Sequence, residues 1–204
     1  MKQLLALVIS ISSLVAVVLQ LDLMLSHSTQ PLGETLIRFF SFFTILTNSL
    51  VAGYFSYLSY QWIKKKQNTE NELARLTAVA VYIFIVGLVY QVLLRHIWDP
   101  TGLQKVVDEL LHSVVPVLVI LFWLISRNIG AVAYRQIGSW LIYPAVYLVY
   151  VLLRGYASGF YPYPFLDVSQ LGFQQVIFNC LGMTLLFVLV SLLFVWLSKP
   201  SGAR

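Results

Sequence analysis

A threonine, a histidine and an aspartate stand where two apolar segments of the sequence could bring them together. Thr44 lies in a run that covers 35–62, and His112 lies in a run that covers 105–126. Asp108 precedes His112 by four residues, so a helix places both side chains on one face. A hydroxyl, an imidazole and an orienting carboxylate supply a nucleophile, a general base and its support. These residue types are compatible with nucleophilic catalysis.

Other polar residues extend this constellation. Thr47 and Asn48 share the helix face of Thr44, and Thr47 is a candidate for binding the substrate there. The amide of Asn48 or of Asn179 could donate to an oxyanion. The guanidinium of Arg95 could bind a substrate carboxylate or only reach the headgroups. Threonine and asparagine in membrane helices most often just bond a neighbouring helix, which is the simpler interpretation.

The elements that must position these residues are membrane spans. Of the 204 residues, 59% are hydrophobic and 10% are charged, against about 25% charged in soluble proteins. Apolar runs long enough to cross a bilayer recur at 3–27, 35–62, 72–95, 105–126, 134–155 and 172–198. We expect an all-α bundle of six transmembrane helices that forms a single domain over 1–204.

Charge gives these spans an orientation. Six spans place both termini on one side, and that side holds nine of the thirteen basic residues, Lys2, Lys64, Lys65, Lys66, Arg75, Arg127, Arg135, Lys199 and Arg204. The positive-inside rule therefore predicts cytoplasmic termini in a cell membrane protein. The net charge of +5 reflects this orientation rather than binding of nucleic acid.

Most strongly polar residues within the spans then fall toward the outer face. They are Asp22, Arg38, Thr44, Asn48, Gln91, Arg95, Asp108, His112, Arg154 and Asn179. Ionisable groups retained in a membrane usually face a bundle interior or a wet cavity. We expect a hydrophobic cavity that opens toward the outer leaflet. At about 1.5 Å per residue, Thr44 and His112 both lie about 10–14 Å deep.

Two other features leave alternatives open. Three histidines, His27, His96 and His112, face the outer half and could in principle hold zinc. Their spacing is scattered, with no His-x-x-x-His pair, so we predict neither a metal nor a cofactor. The aromatic, proline-rich loop at 156–171 is either part of an interfacial belt or a lid over the cavity. The lone Cys180 is interpreted as a packing residue.

Three motifs resemble a known membrane family. They are Phe42-Phe-Thr-Ile-Leu-Thr-Asn48, Asp108-Glu-Leu-Leu-His-Ser-Val-Val-Pro116 and Tyr161-Pro-Tyr-Pro-Phe-Leu-Asp167. In this order and spacing the chain is similar to the androgen-induced and androgen-dependent multi-pass proteins and their bacterial six-helix relatives. The eukaryotic members hydrolyse fatty acid esters of hydroxy fatty acids with an intramembrane threonine and histidine. The resemblance implies those roles for Thr44 and His112, although Thr47 follows closely enough to compete.

Together these observations predict an intramembrane threonine hydrolase that cleaves a fatty-acyl lipid ester. Its partners are the ester and the membrane lipids. The alternatives are a non-enzymatic carrier of lipids or amphiphiles and a metal-dependent membrane hydrolase. The natural ester and the oligomeric state are left open by the sequence.

Overall fold

The computed structural model describes residues 1–65, 71–127 and 132–199. Helix makes up 85% of the structure, and the described ranges contain no strand. The all-α prediction is confirmed. Lys66 and Arg204, two of the basic residues used to orient the chain, lie outside the described residues.

Contacts divide the chain into two units, Met1–Ala131 and Val132–Arg204. The first unit contains six α-helices, α1 Lys2–His27, α2 Leu32–Phe40, α3 Phe43–Ile63, α4 Glu72–Val89, α5 Gly102–Glu109 and α6 Val115–Ser126, among its described residues. Two π-helical turns interrupt the α-helical register. The first π turn, Tyr90–Leu94, continues α4, and the second π turn, Leu110–Val114, joins α5 to α6.

Five helical stretches are long and apolar enough to cross a membrane. They are Lys2–His27, Glu72–Leu94, Gly102–Ser126, Tyr134–Ser158 and Phe173–Ser198. A sixth is added if α2 and α3, which are bent by 75° at their junction, count as one span. Five of the six predicted runs therefore correspond to continuous helical spans, as expected for a multi-pass membrane protein.

The run predicted at 35–62 is not one continuous helix, so the prediction of an unbroken helix there is wrong, while a sixth span made of α2 and α3 stays a prediction. The chain breaks between α2 and α3 at Ser41 and Phe42, and Phe42 is extended with φ −83° and ψ 123°. The buried hydroxyl of Ser41 donates to the carbonyl of Ile37 at 2.7 Å, and the Phe42 N–H bonds the Phe39 carbonyl, three residues back, at 3.3 Å. Such local bonds compete with the α-helical ladder and end the helix, although neither proline nor glycine marks the position.

Small residues let α1 and α3 pack closely. Ala6, Ser10, Ser13 and Ala16 are all buried on one face of α1. The hydroxyl of Ser10 lies 2.7 Å from that of Ser56 on α3. Small side chains at this spacing allow two membrane helices to approach, and hydroxyls then bond across the interface. This contact holds α3, which carries Thr44, against the first helix.

The described part of the second unit begins with a 3-10 turn and continues with five further helical elements. A 3-10 turn at Tyr134–Gln136 is followed by α7 Ile137–Trp140, α8 Ile142–Ser158, a 3-10 turn at Pro164–Leu166, α9 Val168–Leu171 and α10 Phe173–Ser198. Asp167 caps α9 by accepting from the backbone N–H groups of Ser169 and Gln170.

The loop at 156–171 folds back on helices of its own unit. The ring of Tyr161 packs so tightly on Gly155 that a Cβ there would lie 2.0 Å from it. Tyr163 is buried, and the side-chain amide of Asn179 donates to the Phe165 carbonyl at 2.8 Å. These contacts anchor the loop between α8 and α10. A role as a lid over the site stays a prediction.

Candidate functional site

Thr44 and His112 meet in the first unit. Thr44 is the second residue of α3, and His112 lies in the middle of the second π turn. The Thr44 Oγ lies 3.2 Å from the His112 Nε2. Only 8% of Thr44 and 12% of the His112 side chain are exposed, so the contact is largely shielded from solvent. The sequence placed the two residues at equal depth, which contact requires, and the structure has them in contact, although the helix break makes Thr44 the start of α3 rather than a mid-helix residue.

The neighbours of His112 define which of its nitrogens carries the proton. Its Nδ1 lies 2.9 Å from the backbone carbonyl of Asp108 and 3.3 Å from the Oδ1 of the same residue. A carbonyl oxygen can only accept, so we assign the proton of the neutral ring to Nδ1. The Nε2 then carries a lone pair directed at the Thr44 hydroxyl, which is the arrangement that general-base catalysis requires.

Tyr90 completes the constellation, and sequence reasoning missed it. Its hydroxyl donates to the Oδ2 of Asp108, and its ring stacks on the imidazole of His112 with centroids 4.1 Å apart and an interplanar angle of 13°. Tyr90 is only 4% exposed. In the sequence it is one aromatic residue among the 12 tyrosines, and its sole distinguishing signal is its place beside Gln91 in the polar layer.

The second π turn explains the place of Asn48. The Val115 N–H bonds the carbonyl of Leu110, five residues back, and Pro116 has no N–H. Neither position therefore supplies a donor to the carbonyl of Leu111. The Nδ2 of Asn48 takes that role at 3.3 Å and also donates to the Thr44 carbonyl at 2.9 Å.

This bridge changes the interpretation of Asn48. Both hydrogens of its amide point at backbone carbonyls, which leaves none for the oxyanion that the sequence suggested. Its Oδ1 is buried and has no hydrogen-bond partner within the described part of the chain. Asn48 instead links the first turn of α3 to the π turn that carries His112.

A second polar network lies beside the first on a more exposed face. The guanidinium of Arg95 forms a salt bridge with Glu109 and donates to the Oε1 of Gln91 at 2.8 Å. Ser113 donates to Glu109 at 2.6 Å and accepts from Gln91 at 2.9 Å. Glu109 already compensates the charge of Arg95, so a substrate carboxylate would have to compete with it. Binding of a carboxylate by Arg95 stays a prediction.

Three further residues that the sequence singled out have the following surroundings. Thr47 is fully buried in α3. Asn179 belongs to the second unit, where its amide donates to Phe165 and accepts from Gln175 at 3.1 Å. Its role beside Thr44 stays a prediction. The Nδ1 of His27 contacts the Leu23 carbonyl at 2.7 Å.

A zinc site would need several metal-binding side chains close together. Within residues 1–65, 71–127 and 132–199, no group of three or more histidine, cysteine, aspartate or glutamate side chains is arranged to hold a metal ion. His96 is exposed in the turn that follows the first π turn. The structure therefore offers no geometric support for the metal-dependent alternative in these ranges.

No protein-family model, curated protein or solved structure matches this chain. The resemblance to the androgen-induced and androgen-dependent proteins stays a prediction. Thr44, His112 and Asp108 are therefore the residues whose geometry bears on function.

Proposed function

We propose that this chain is an intramembrane hydrolase of lipid esters in which Thr44 is the nucleophile and His112 is the general base. The observation that carries the proposal is the 3.2 Å contact between the Thr44 Oγ and the His112 Nε2, with the ring proton assigned to Nδ1. A nucleophile within hydrogen-bond reach of a base that a third group orients is the signature of covalent catalysis.

The reaction proceeds in two steps, acylation of Thr44 and hydrolysis of the acyl-threonine. The Thr44 hydroxyl passes its proton to Nε2 while its oxygen attacks the ester carbonyl carbon. Collapse of the tetrahedral intermediate breaks the bond to the alcohol, which leaves with the proton from Nε2. Water then gives a proton to Nε2 and attacks the acyl-threonine. The fatty acid leaves, and the proton returns to the Thr44 oxygen.

Two electrostatic features stabilise the charges that form in this reaction, the imidazolium of His112 and the oxyanion. The carboxylate of Asp108 stands 3.3 Å from Nδ1 and stabilises the imidazolium that forms in each step. Thr44 lies in the first turn of the 21-residue helix α3. The positive end of a helix dipole favours negative charge within that turn, so it also favours an oxyanion beside Thr44.

The setting of the site indicates an apolar substrate. Thr44 is the second residue of a helix that packs among membrane-length helices, and little of it is exposed. A lipid ester reaches such a position from the bilayer without crossing water. A fatty-acyl ester with a branched alcohol side is the substrate class that the family resemblance suggests.

Orientation is part of the same proposal. Lys2, Lys64 and Arg127 lie at one set of helix ends in the first unit, and Arg38 and Arg95 lie near the other. The positive-inside rule assigns the first set, and with it the N-terminus, to the cytoplasm. An even number of six spans would return the C-terminus to the same side. The Thr44–His112 site then belongs to the outer half of the cell membrane.

The test uses the full-length protein in detergent or lipid nanodiscs. An alkyl fluorophosphonate probe measures covalent labelling, and a fluorogenic medium-chain fatty-acyl ester measures turnover. We expect Thr44→Ala and His112→Ala to lose labelling and to lower turnover by about 10³-fold or more. Thr44→Ser keeps a hydroxyl and should retain both signals in part. Thr47→Val is the matched control for a buried threonine of the same helix.

The other outcomes separate the competing functions. Equal labelling and turnover in wild type and Thr44→Ala would exclude Thr44 as the nucleophile. Loss of both signals in Thr47→Val, with Thr44→Ala active, assigns the reaction to the neighbouring hydroxyl. Turnover that a chelator abolishes indicates a metal-dependent hydrolase. Binding of a fluorescent fatty acid ester without any turnover by the wild type indicates a lipid carrier.

A further inference from the structure

Tyr90 makes two separate contacts, one with the proposed base His112 and one with Asp108, which orients it. Its hydroxyl donates to the Oδ2 of Asp108, and its ring stacks on His112. The other carboxylate oxygen of Asp108, Oδ1, is the one that faces the His112 Nδ1. The tyrosine therefore holds the carboxylate from one side while the imidazole occupies the other.

We propose that Tyr90 is a positioning residue that acts through Asp108 and His112, an inference that rests on the proposed hydrolase function. The terminal torsion of an aspartate is broad and roughly two-fold, so a carboxylate held at one oxygen alone can rotate. The hydroxyl of Tyr90 fixes this torsion by holding Oδ2. As a result, Oδ1 stays directed at the imidazole while protons move between Nε2 and the substrate.

The ring of Tyr90 supplies the second part of this role. A face stacked at 4.1 Å restricts the rotation of the imidazole about its own side-chain torsions. An aromatic face also attracts a cation electrostatically, an effect worth more when the pair is shielded from water. The stacked ring thus favours the imidazolium that each step of the reaction forms, in addition to keeping Nε2 opposite Thr44.

The backbone around Tyr90 explains how it reaches both partners. The Arg95 N–H bonds the carbonyl of Tyr90, five residues back, at 2.8 Å, which defines the first π turn. A π turn inserts an extra residue into an α-helix and is frequent at functional sites. Two consecutive residues of the first π turn contact two consecutive residues of the second. Tyr90 stacks on His112, and Gln91 donates a hydrogen bond to Ser113.

The first experiment separates the hydroxyl from the ring. Tyr90→Phe keeps the stacked ring and removes the donor to Asp108. We expect kcat for the fluorogenic ester to fall about tenfold to a hundredfold, the effect of one hydrogen bond to a charged group, with KM unchanged. Tyr54→Phe is the matched control, because its hydroxyl contacts only a main-chain carbonyl, that of Glu72 at 3.5 Å, among the contacts described. It should leave both constants unchanged.

The second experiment asks whether Tyr90 acts through Asp108. In an Asp108→Asn background the carboxylate is absent, so Tyr90→Phe should lower kcat by less than about twofold. A reduction as large as that in the wild-type background would overturn the proposal. So would a Tyr90→Phe protein with the kcat of the wild type.

The third measurement needs no catalysis and so distinguishes failure of this inference from failure of the proposed function. In protein labelled with ¹⁵N-histidine, the Nδ1–H proton of His112 reports its contacts with both the backbone carbonyl and the Oδ1 of Asp108, and a His112→Gln spectrum assigns it. We expect Tyr90→Phe to move this resonance upfield and to speed its exchange with water, in wild type and in Thr44→Ala alike. An unchanged resonance contradicts the positioning role even if Thr44 proves to be the nucleophile. A changed resonance in an inactive wild-type protein contradicts only the hydrolase function.

Discussion

Gly87 of α4 stands directly against the backbone carbonyl of His112. A Cβ built on Gly87 would lie 3.1 Å from that oxygen and 3.2 Å from the Cβ of Pro116. Both of these atoms belong to rigid groups, a helical backbone and a proline ring. The absence of a side chain at Gly87 therefore lets α4 approach the second π turn, which brings Tyr90 within reach of Asp108.

Gly87→Ala should destabilise the protein and reduce its activity. Overpacking of a tight contact costs about 1–3 kcal/mol, which outweighs the smaller gain in helix propensity from alanine. We expect a lower Tm in detergent, measured by intrinsic fluorescence, together with a lower kcat. Gly53→Ala is the matched control, because nothing lies within 4 Å of a Cβ at Gly53 in α3. A Tm for Gly87→Ala equal to or above that of Gly53→Ala would show that the contact can relax.

Asp108→Asn should preserve the fold and lower kcat by about 10²-fold or more. The amide has nearly the shape of the carboxylate but lacks the charge that stabilises the imidazolium. Steady-state kinetics with the fluorogenic ester, together with Tm, would separate this effect from unfolding. Asp22→Asn changes an exposed aspartate of α1 and should behave as wild type. Near-normal turnover by Asp108→Asn would remove the carboxylate from the mechanism.

The bridge from Asn48 to the Leu111 carbonyl predicts a specific rescue. Asn48→Ala removes the donor and should lower the free energy of unfolding by about 1–3 kcal/mol, the cost of an unsatisfied buried acceptor. Pro116→Ala restores a backbone N–H five residues after Leu111. Its effect on stability should therefore be more favourable in the Asn48→Ala protein than in the wild type, by about 1 kcal/mol. Chemical denaturation of the four proteins in mixed micelles measures the cycle, and purely additive effects would contradict the shared carbonyl.

The salt bridge between Arg95 and Glu109 predicts a gain of carboxylate binding when it is broken. Glu109→Gln leaves the guanidinium of Arg95 without its charged partner. We expect KM to fall several-fold for an ester that carries a free carboxylate, because an unpaired guanidinium binds carboxylates bidentately. The control is the neutral ester of the same chain length, for which KM should not change. If KM falls equally for both esters, or for neither, Arg95 does not contact the substrate carboxylate.

The sequence predicted much of the candidate site because its pieces are local. A helical spacing of four residues places Asp108 on the face of His112, and the structure has the two side chains 3.3 Å apart. Apolar length predicted the helices that carry the site, since a bilayer demands runs of about 20 apolar residues. Equal depth made Thr44 and His112 a candidate pair, the family resemblance singled them out, and the structure brings them into contact across 68 residues of sequence.

The features that the sequence did not predict are those that depend on contacts between residues far apart in the chain. The break at Ser41–Phe42 has no proline or glycine. Phe42 packs against a core cluster that includes Phe39 and Ile45 and that forms only on folding. Neither π turn was predicted from the sequence. Tyr90 was missed because a buried tyrosine near a span end looks the same whether it packs or positions a catalytic group.

The sequence by itself determined that this protein is helical, that its helices have membrane length, and which hydroxyl, imidazole and carboxylate are available. Local periodicity and hydrophobicity are properties of the chain before it folds, so they can be read directly. Only the tertiary structure decided that Nε2 faces Thr44, that Asn48 serves a carbonyl left open by Pro116, and that Tyr90 holds Asp108. Each of these depends on the register in which two helices meet, and a one-residue π insertion changes that register without a sequence signal.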